Sequence, residues 1–134
     1  MRSGRLIWIG ISAGVCAVLI GTAGGQAWLT ARQLEDVARA MTGGDSSRAP
    51  DLIRRYGCAG CHTISGISGG DGQVGGPLSN IRKRVYIGGV VTNSPDNMIR
   101  WIVNPQQFSP RTAMPATGIT VQEARDVAAY LYAR

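Results

Sequence analysis

Five consecutive residues, Cys58-Ala59-Gly60-Cys61-His62, carry the chemistry of this 134-residue chain. Two thiols in C-x-x-C spacing lie about one helical turn apart, so both can add to the vinyl groups of one porphyrin. The histidine that follows is then carried to the iron as its proximal ligand. The pattern predicts one covalently attached haem c. A zinc site needs about four ligands, whereas the chain has three cysteines and one histidine, and Cys16 lies far upstream in an apolar run. A dithiol redox site belongs at a strand-to-helix junction of an α/β pattern, and strand-like alternation is scarce.

A haem iron held by one histidine takes a sixth ligand or leaves a position open. His62 is the only histidine, which excludes a second imidazole from this chain. The only lysine, Lys83, sits in Arg82-Lys83-Arg84, a charged run that belongs in solvent. Met41, Met98 and Met114 remain. Met98 falls on the apolar face of a predicted helix, where a thioether packs as gap filler. Met114 lies in Ser109-Pro110-Arg111-Thr112-Ala113-Met114-Pro115, a loop that two prolines stiffen. It is the expected axial ligand. His/Met ligation raises the potential and closes the iron, which suits electron transfer. An open sixth position would instead make the chain a haem enzyme or gas sensor.

Short helices must position these groups. Pro50, Leu52, Ile53 and Tyr56 predict a first helix leading into Gly57-Cys58. Ser94-Pro95, an N-cap with proline behind it, opens a second that carries Met98, Trp101 and Ile102 and stops before Pro105. Thr120-Val121-Gln122-Glu123 is a capping box opening a third, with Val121, Ala124, Val127, Ala128 and Leu131 as its apolar stripe. Glycine-rich 65–76 and proline-punctuated 104–118 are loops. The fold class is all-α, three main helices and loops around one haem.

Upstream, 6–29 has no charged residue and is long enough to span a hydrocarbon core of about 30 Å. Trp8 and Trp28 bracket it, about 30 Å apart on a helix rising about 1.5 Å per residue, as interfacial indoles do. The expected organisation is a transmembrane anchor over 1–29, a helical extension and flexible tether over 30–49 with 42–47 as its breaker, and a haem domain over 50–134. Gly25-Gln26-Ala27 leaves a cleaved leader as the alternative. Gly10, Gly14, Gly21 and Gly25 form small-xxx-small pairs that would admit a partner membrane helix.

The segments Tyr56-Gly57-Cys58-Ala59-Gly60-Cys61-His62, Gly75-Gly76-Pro77-Leu78, Met98-Ile99-Arg100-Trp101-Ile102-Val103-Asn104-Pro105 and Ala113-Met114-Pro115, with a last helix ending Ala129-Tyr130-Leu131, resemble class I cytochromes c over 50–134. The stretches from Gly88 to Met98 and from Trp101 to Met114 resemble the cytochrome c domains of haem–copper oxidases. The segment Gly57-Cys58-Ala59-Gly60-Cys61-His62-Thr63-Ile64 is also similar to the anchored cytochrome c subunit of bacterial nitric oxide reductase. The resemblance implies that the Pro77 carbonyl accepts from the Nδ1–H of His62. It implies that Trp101 packs beside the haem and reaches a propionate, and that Tyr130 and Leu131 pack near Gly57 and Tyr56.

The expected function is single-electron transfer with no bond chemistry, from a quinol-oxidising complex to a terminal oxidase. The expected location is the periplasmic side of a bacterial cell membrane, against lipid. A net charge of +6 would steer docking onto an acidic redox partner. Nucleic-acid binding does not suit that compartment.

Overall fold

The computed structural model describes residues 21–134 with their side chains, and residues 3–20 only as the start of a helix. Helix α1 is Ser3–Thr42. The chain divides into two compact units, Met1–Gln33 and Leu34–Arg134. In the first, Thr30 Oγ1 donates to the Gln26 carbonyl (2.9 Å) and the Arg32 guanidinium lies 3.9 Å from the Trp28 ring centre. Trp28 and Leu29 are exposed. Trp8, Gly10, Gly14 and Cys16 lie outside the described residues, as does much of the expected span. Among the described residues, no helix is long and apolar enough to cross a membrane.

The second unit is mostly helical. After α1 come α2 (Ala49–Arg55), the single turn α3 (Cys58–Cys61), α4 (Pro95–Val103) and α5 (Val121–Ala133). All three predicted helix starts are used. Pro50 opens the first turn of α2. The Ser94 side chain accepts from the Asn97 N–H at the head of α4. Thr120 and Glu123 complete the capping box of α5. A two-residue hairpin, β1 (Tyr86–Ile87) against β2 (Val91–Thr92), pairs Tyr86 with Thr92, a piece of sheet that sequence alternation does not reveal.

Helix α5 is the centre of the fold. It packs on α2 and α4 and buries Ala124, Val127, Ala128 and Leu131 as expected, with Ala129, Tyr130, Tyr132 and Ala133 as well. Val121, expected in the stripe, is exposed. The extra burial has a cause. The end of α1 and the turn after it cover the side of α5 that a free tether would leave wet.

That turn corrects the expected tether. Thr42 is buried, and its carbonyl accepts from Arg125 Nη1 (2.7 Å). The Asp45 N–H donates to Asp126 Oδ1 (2.8 Å), and Arg48 Nε lies 3.5 Å from Asp126 Oδ2. A side chain at Gly44 would run into the Arg125 carbonyl. Arg134 pairs with Glu35 at 3.1 Å. Residues 34–49 therefore belong to the compact unit that the sequence started at 50.

Candidate functional site

Helix α2 runs into Gly57, whose backbone (φ +70°) turns the chain into α3. Cys58 and Cys61 are the first and last residues of that turn, so the two thiols stand one turn apart as the spacing requires. His62 follows in an extended conformation, its N–H donating to the Cys58 carbonyl (3.0 Å). Burial raises the Cys58 thiol above its usual value, and the neighbouring Cys61 pushes the same way.

The glycine-rich loop is stitched back onto the histidine. The Ile64 N–H donates to the Gly70 carbonyl (2.8 Å), the Gly75 N–H to the Cys61 carbonyl (2.8 Å) and the Leu78 N–H to the Thr63 carbonyl (2.8 Å). Tyr130, on α5, donates from its hydroxyl to the Ser65 carbonyl (2.7 Å). The Tyr56 hydroxyl donates to Glu123 near the head of α5 (2.8 Å), and both tyrosines join the one core cluster.

His62 Nδ1 lies 2.7 Å from the carbonyl of Gly76. This corrects the expectation of the Pro77 carbonyl, which accepts from the Arg84 guanidinium. The backbone bonds at Gly75 and Leu78 set which carbonyl meets the ring. They draw the loop close enough that a side chain at Gly75 would collide with the imidazole. An outer partner of this kind fixes the orientation and basicity of a histidine ligand.

Met114 is held at three points. Its N–H donates to Thr112 Oγ1 (3.3 Å) and its carbonyl accepts from Gln106 Nε2 (2.8 Å). The Trp101 indole N–H donates to its sulfur (3.2 Å). The nitrogen expected to meet a propionate is thus spent on the thioether. Of the other methionines, Met98 is buried at 3% exposure on α4 and Met41 is 48% exposed on α1. Lys83 is exposed.

Cys58, Cys61, His62, Trp101, Met98 and Met114 line one cavity of about 340 Å³, with Ile53, Ile102, Val127 and Leu131 among its apolar wall residues. Met41, Pro77 and Lys83 are not on that wall. The size lies within the range of small-molecule sites, which are mostly apolar with a few placed polar groups. Among the described residues, no group of three or more His, Cys, Asp or Glu side chains could hold a metal ion, so the zinc alternative finds no ligand set. Two thiols, an imidazole and a thioether on an apolar wall are the donor set of haem c. The residues present fit that group.

Two residues that no motif announces support the site. Gln106 holds the Met114 loop. Asn93 donates to the Ile81 and Arg84 carbonyls (2.7 and 2.8 Å) and accepts from the Tyr132 hydroxyl (2.6 Å). Burial pushes the Tyr132 hydroxyl up to about 12. Asn104-Pro105-Gln106 at the end of a helix, eight residues before Met114, was the signal available for Gln106.

A family model described as Cytochrome c matches residues 48–133. Cytochrome c oxidase subunit 2 of Alkalihalophilus pseudofirmus is 31% identical over 72 residues, 53% of this chain and 20% of that protein. The chain thus spans about a fifth of that relative's length. No solved structure matches.

Proposed function

From the premise that the chain belongs to the cytochrome c family and so carries haem c covalently, we propose a membrane-anchored single-electron carrier whose iron is closed by His62 and Met114. One observation carries this reading: the paired thiols, the imidazole and the Met114 thioether line a single apolar cavity.

When bound, the haem supplies a one-electron couple. The chain does the rest. Cys58 and Cys61 hold the porphyrin through thioethers. The Gly76 carbonyl orients the His62 ring and keeps its proton on Nδ1, leaving Nε2 to ligate. Met114 would hold the iron through its thioether, and the group so held would offer a one-electron couple closed to exogenous ligands. The apolar wall keeps water from the iron, which limits rearrangement as the charge changes by one.

Electrons would come from a quinol-oxidising complex and pass to a haem–copper terminal oxidase. The likeness to a cytochrome c oxidase subunit 2 supports the acceptor. Arg82, Lys83 and Arg84 are exposed, and Arg84 also lines the cavity, so a basic rim steers the haem edge to an acidic surface. The uncharged run over 6–29 supports an anchor that keeps the haem unit on the periplasmic side of a bacterial cell membrane.

The test mixes the ferrous protein with a solubilised haem–copper oxidase and follows reoxidation. Rapid oxidation that slows as salt rises is expected. Oxidation by dissolved oxygen alone, at a rate the oxidase does not change, would overturn the proposal.

A further inference from the structure

The Asn93 side chain is half-buried beside the cavity, and its polar atoms are engaged on two sides. Its nitrogen donates to the Ile81 and Arg84 carbonyls (2.7 and 2.8 Å). Its oxygen accepts from the Tyr132 hydroxyl (2.6 Å), so the end of α5 dictates which way the amide points. The Arg84 N–H in turn donates to the Ile81 carbonyl (3.0 Å). The Arg84 backbone is thus held at both its N–H and its carbonyl, and the side chain leaves from a fixed base. Its guanidinium donates to the Pro77 carbonyl and, from the same nitrogen, to the Ser79 carbonyl (3.3 Å). The peptide before Pro77 supplies the Gly76 carbonyl, 2.7 Å from His62 Nδ1. Two successive carbonyls therefore meet two donors, and each takes one. A guanidinium makes a charge-assisted bond, stronger than one from a neutral ring N–H. The acceptor it occupies is the one the imidazole does not use.

We propose that Arg84 is a positioning residue for His62. It engages the Pro77 carbonyl, leaves the Gly76 carbonyl to accept from the ring, and is itself held to that task by Asn93 and Tyr132. This rests on the reading of His62 as proximal ligand. The outer partner of a ligating histidine fixes its orientation and basicity, so the residue that selects the carbonyl selects how the ring is aimed. The selection is made by groups outside the thiol–imidazole motif: the 81–84 turn, the asparagine before the Ser94 cap, and the end of α5. The backbone bonds at Gly75 and Leu78 bring both carbonyls near the ring, and Arg84 removes one of them.

The test uses the haem-loaded ferrous protein with isotope-labelled histidine and isotope-labelled glycine or proline carbonyls. Magnetic coupling across the hydrogen bond reports which carbonyl holds the His62 Nδ1 proton. Gly76 is expected in the wild-type protein, and Pro77 there would overturn the proposal. Arg84→Met keeps the length of the stem and deletes the donors. It should move part of the coupling from Gly76 to Pro77 and quicken solvent exchange of the Nδ1 proton about fivefold, the size of one ordinary hydrogen bond. Arg84→Lys, which keeps a charged donor, should restore part of the Gly76 coupling. Coupling and exchange unchanged in Arg84→Met would overturn the proposal. Thr120→Ala, which weakens α5 at its cap, should move neither readout. An equal change in that variant would mean general loosening, and would overturn the proposal too. Failure of the ligand reading looks different: His62→Ala would then leave the haem spectrum unchanged. Should Arg84→Met not fold, a crystal structure of the haem-loaded wild-type protein carries the test. The guanidinium on the Pro77 carbonyl is expected, and a guanidinium turned to a propionate overturns the proposal.

Discussion

The cavity side of the second unit and the side where α1 meets α5 are held by opposite means. Around the cavity, loops carry the functional groups, and backbone bonds at Cys61, Thr63, Gly70 and Gly75 lace them in place. On the α1 side, the contacts run through charged side chains, to backbone groups as well as to opposite charges, and reach far along the chain. Asp45 and Asp126 are 81 positions apart, and Glu35 and Arg134 are 99 apart. The cavity side defines a site. The α1 side defines where the compact unit ends. Damage to one should therefore register differently from damage to the other.

Ile53 belongs to both sides, since it is fully buried in the core and lines the cavity. Ile53→Ala should be the most costly single change, about 3 kcal/mol by denaturant unfolding, and should perturb the haem spectrum as well. A loss of stability with an unaltered spectrum would show that the two sides are separate even there. Asp126→Ala should cost about 2 kcal/mol by leaving the Asp45 N–H without its acceptor, yet leave spectrum and potential unaltered. A shifted potential would erase the distinction. Thr120→Ala removes the cap of α5 and should cost about 1 kcal/mol, again without spectral change.

The smallest effect is on acid stability. Glu123 is held below its ordinary value of 4.5, first by the Thr120 side chain and backbone and then by the Tyr56 hydroxyl. A carboxyl lowered by folding adds stability that is present above the unfolded value and lost as pH falls through the folded one. Unfolding free energy should therefore decline below about pH 4.5, and Glu123→Gln should flatten that part of the curve. An unchanged slope would show that the hydrogen bonds Glu123 accepts from Thr120 and Tyr56 carry no weight.

The same division explains what could be read from the sequence. The helix starts were legible because proline, an N-cap serine and a capping box act within four residues. The thiol and imidazole spacing was legible for the same reason. The prolines on either side of Met114 mark its loop as stiff, but Met98 lines the same cavity from α4, a placement its apolar spacing on the helix does not reveal. The carbonyl facing His62 was not legible, because a shift of one residue between Gly76 and Pro77 depends on bonds that only the folded loop makes. Nor was the direction of the Trp101 nitrogen, which Gly88 and Phe108 set from outside α4. Thr42-Gly43-Gly44-Asp45-Ser46-Ser47 reads as a tether because it has the composition of a flexible linker. Only the distant Arg125 and Asp126 turn it into a packed corner.

The central claim is an iron closed between His62 and Met114, and carbon monoxide binding to the reduced protein tests it most directly. The wild-type protein should bind the gas poorly, and Met114→Ala should bind it readily with a shifted Soret band. Ready binding by the wild-type protein, unchanged by Met114→Ala, would contradict the account.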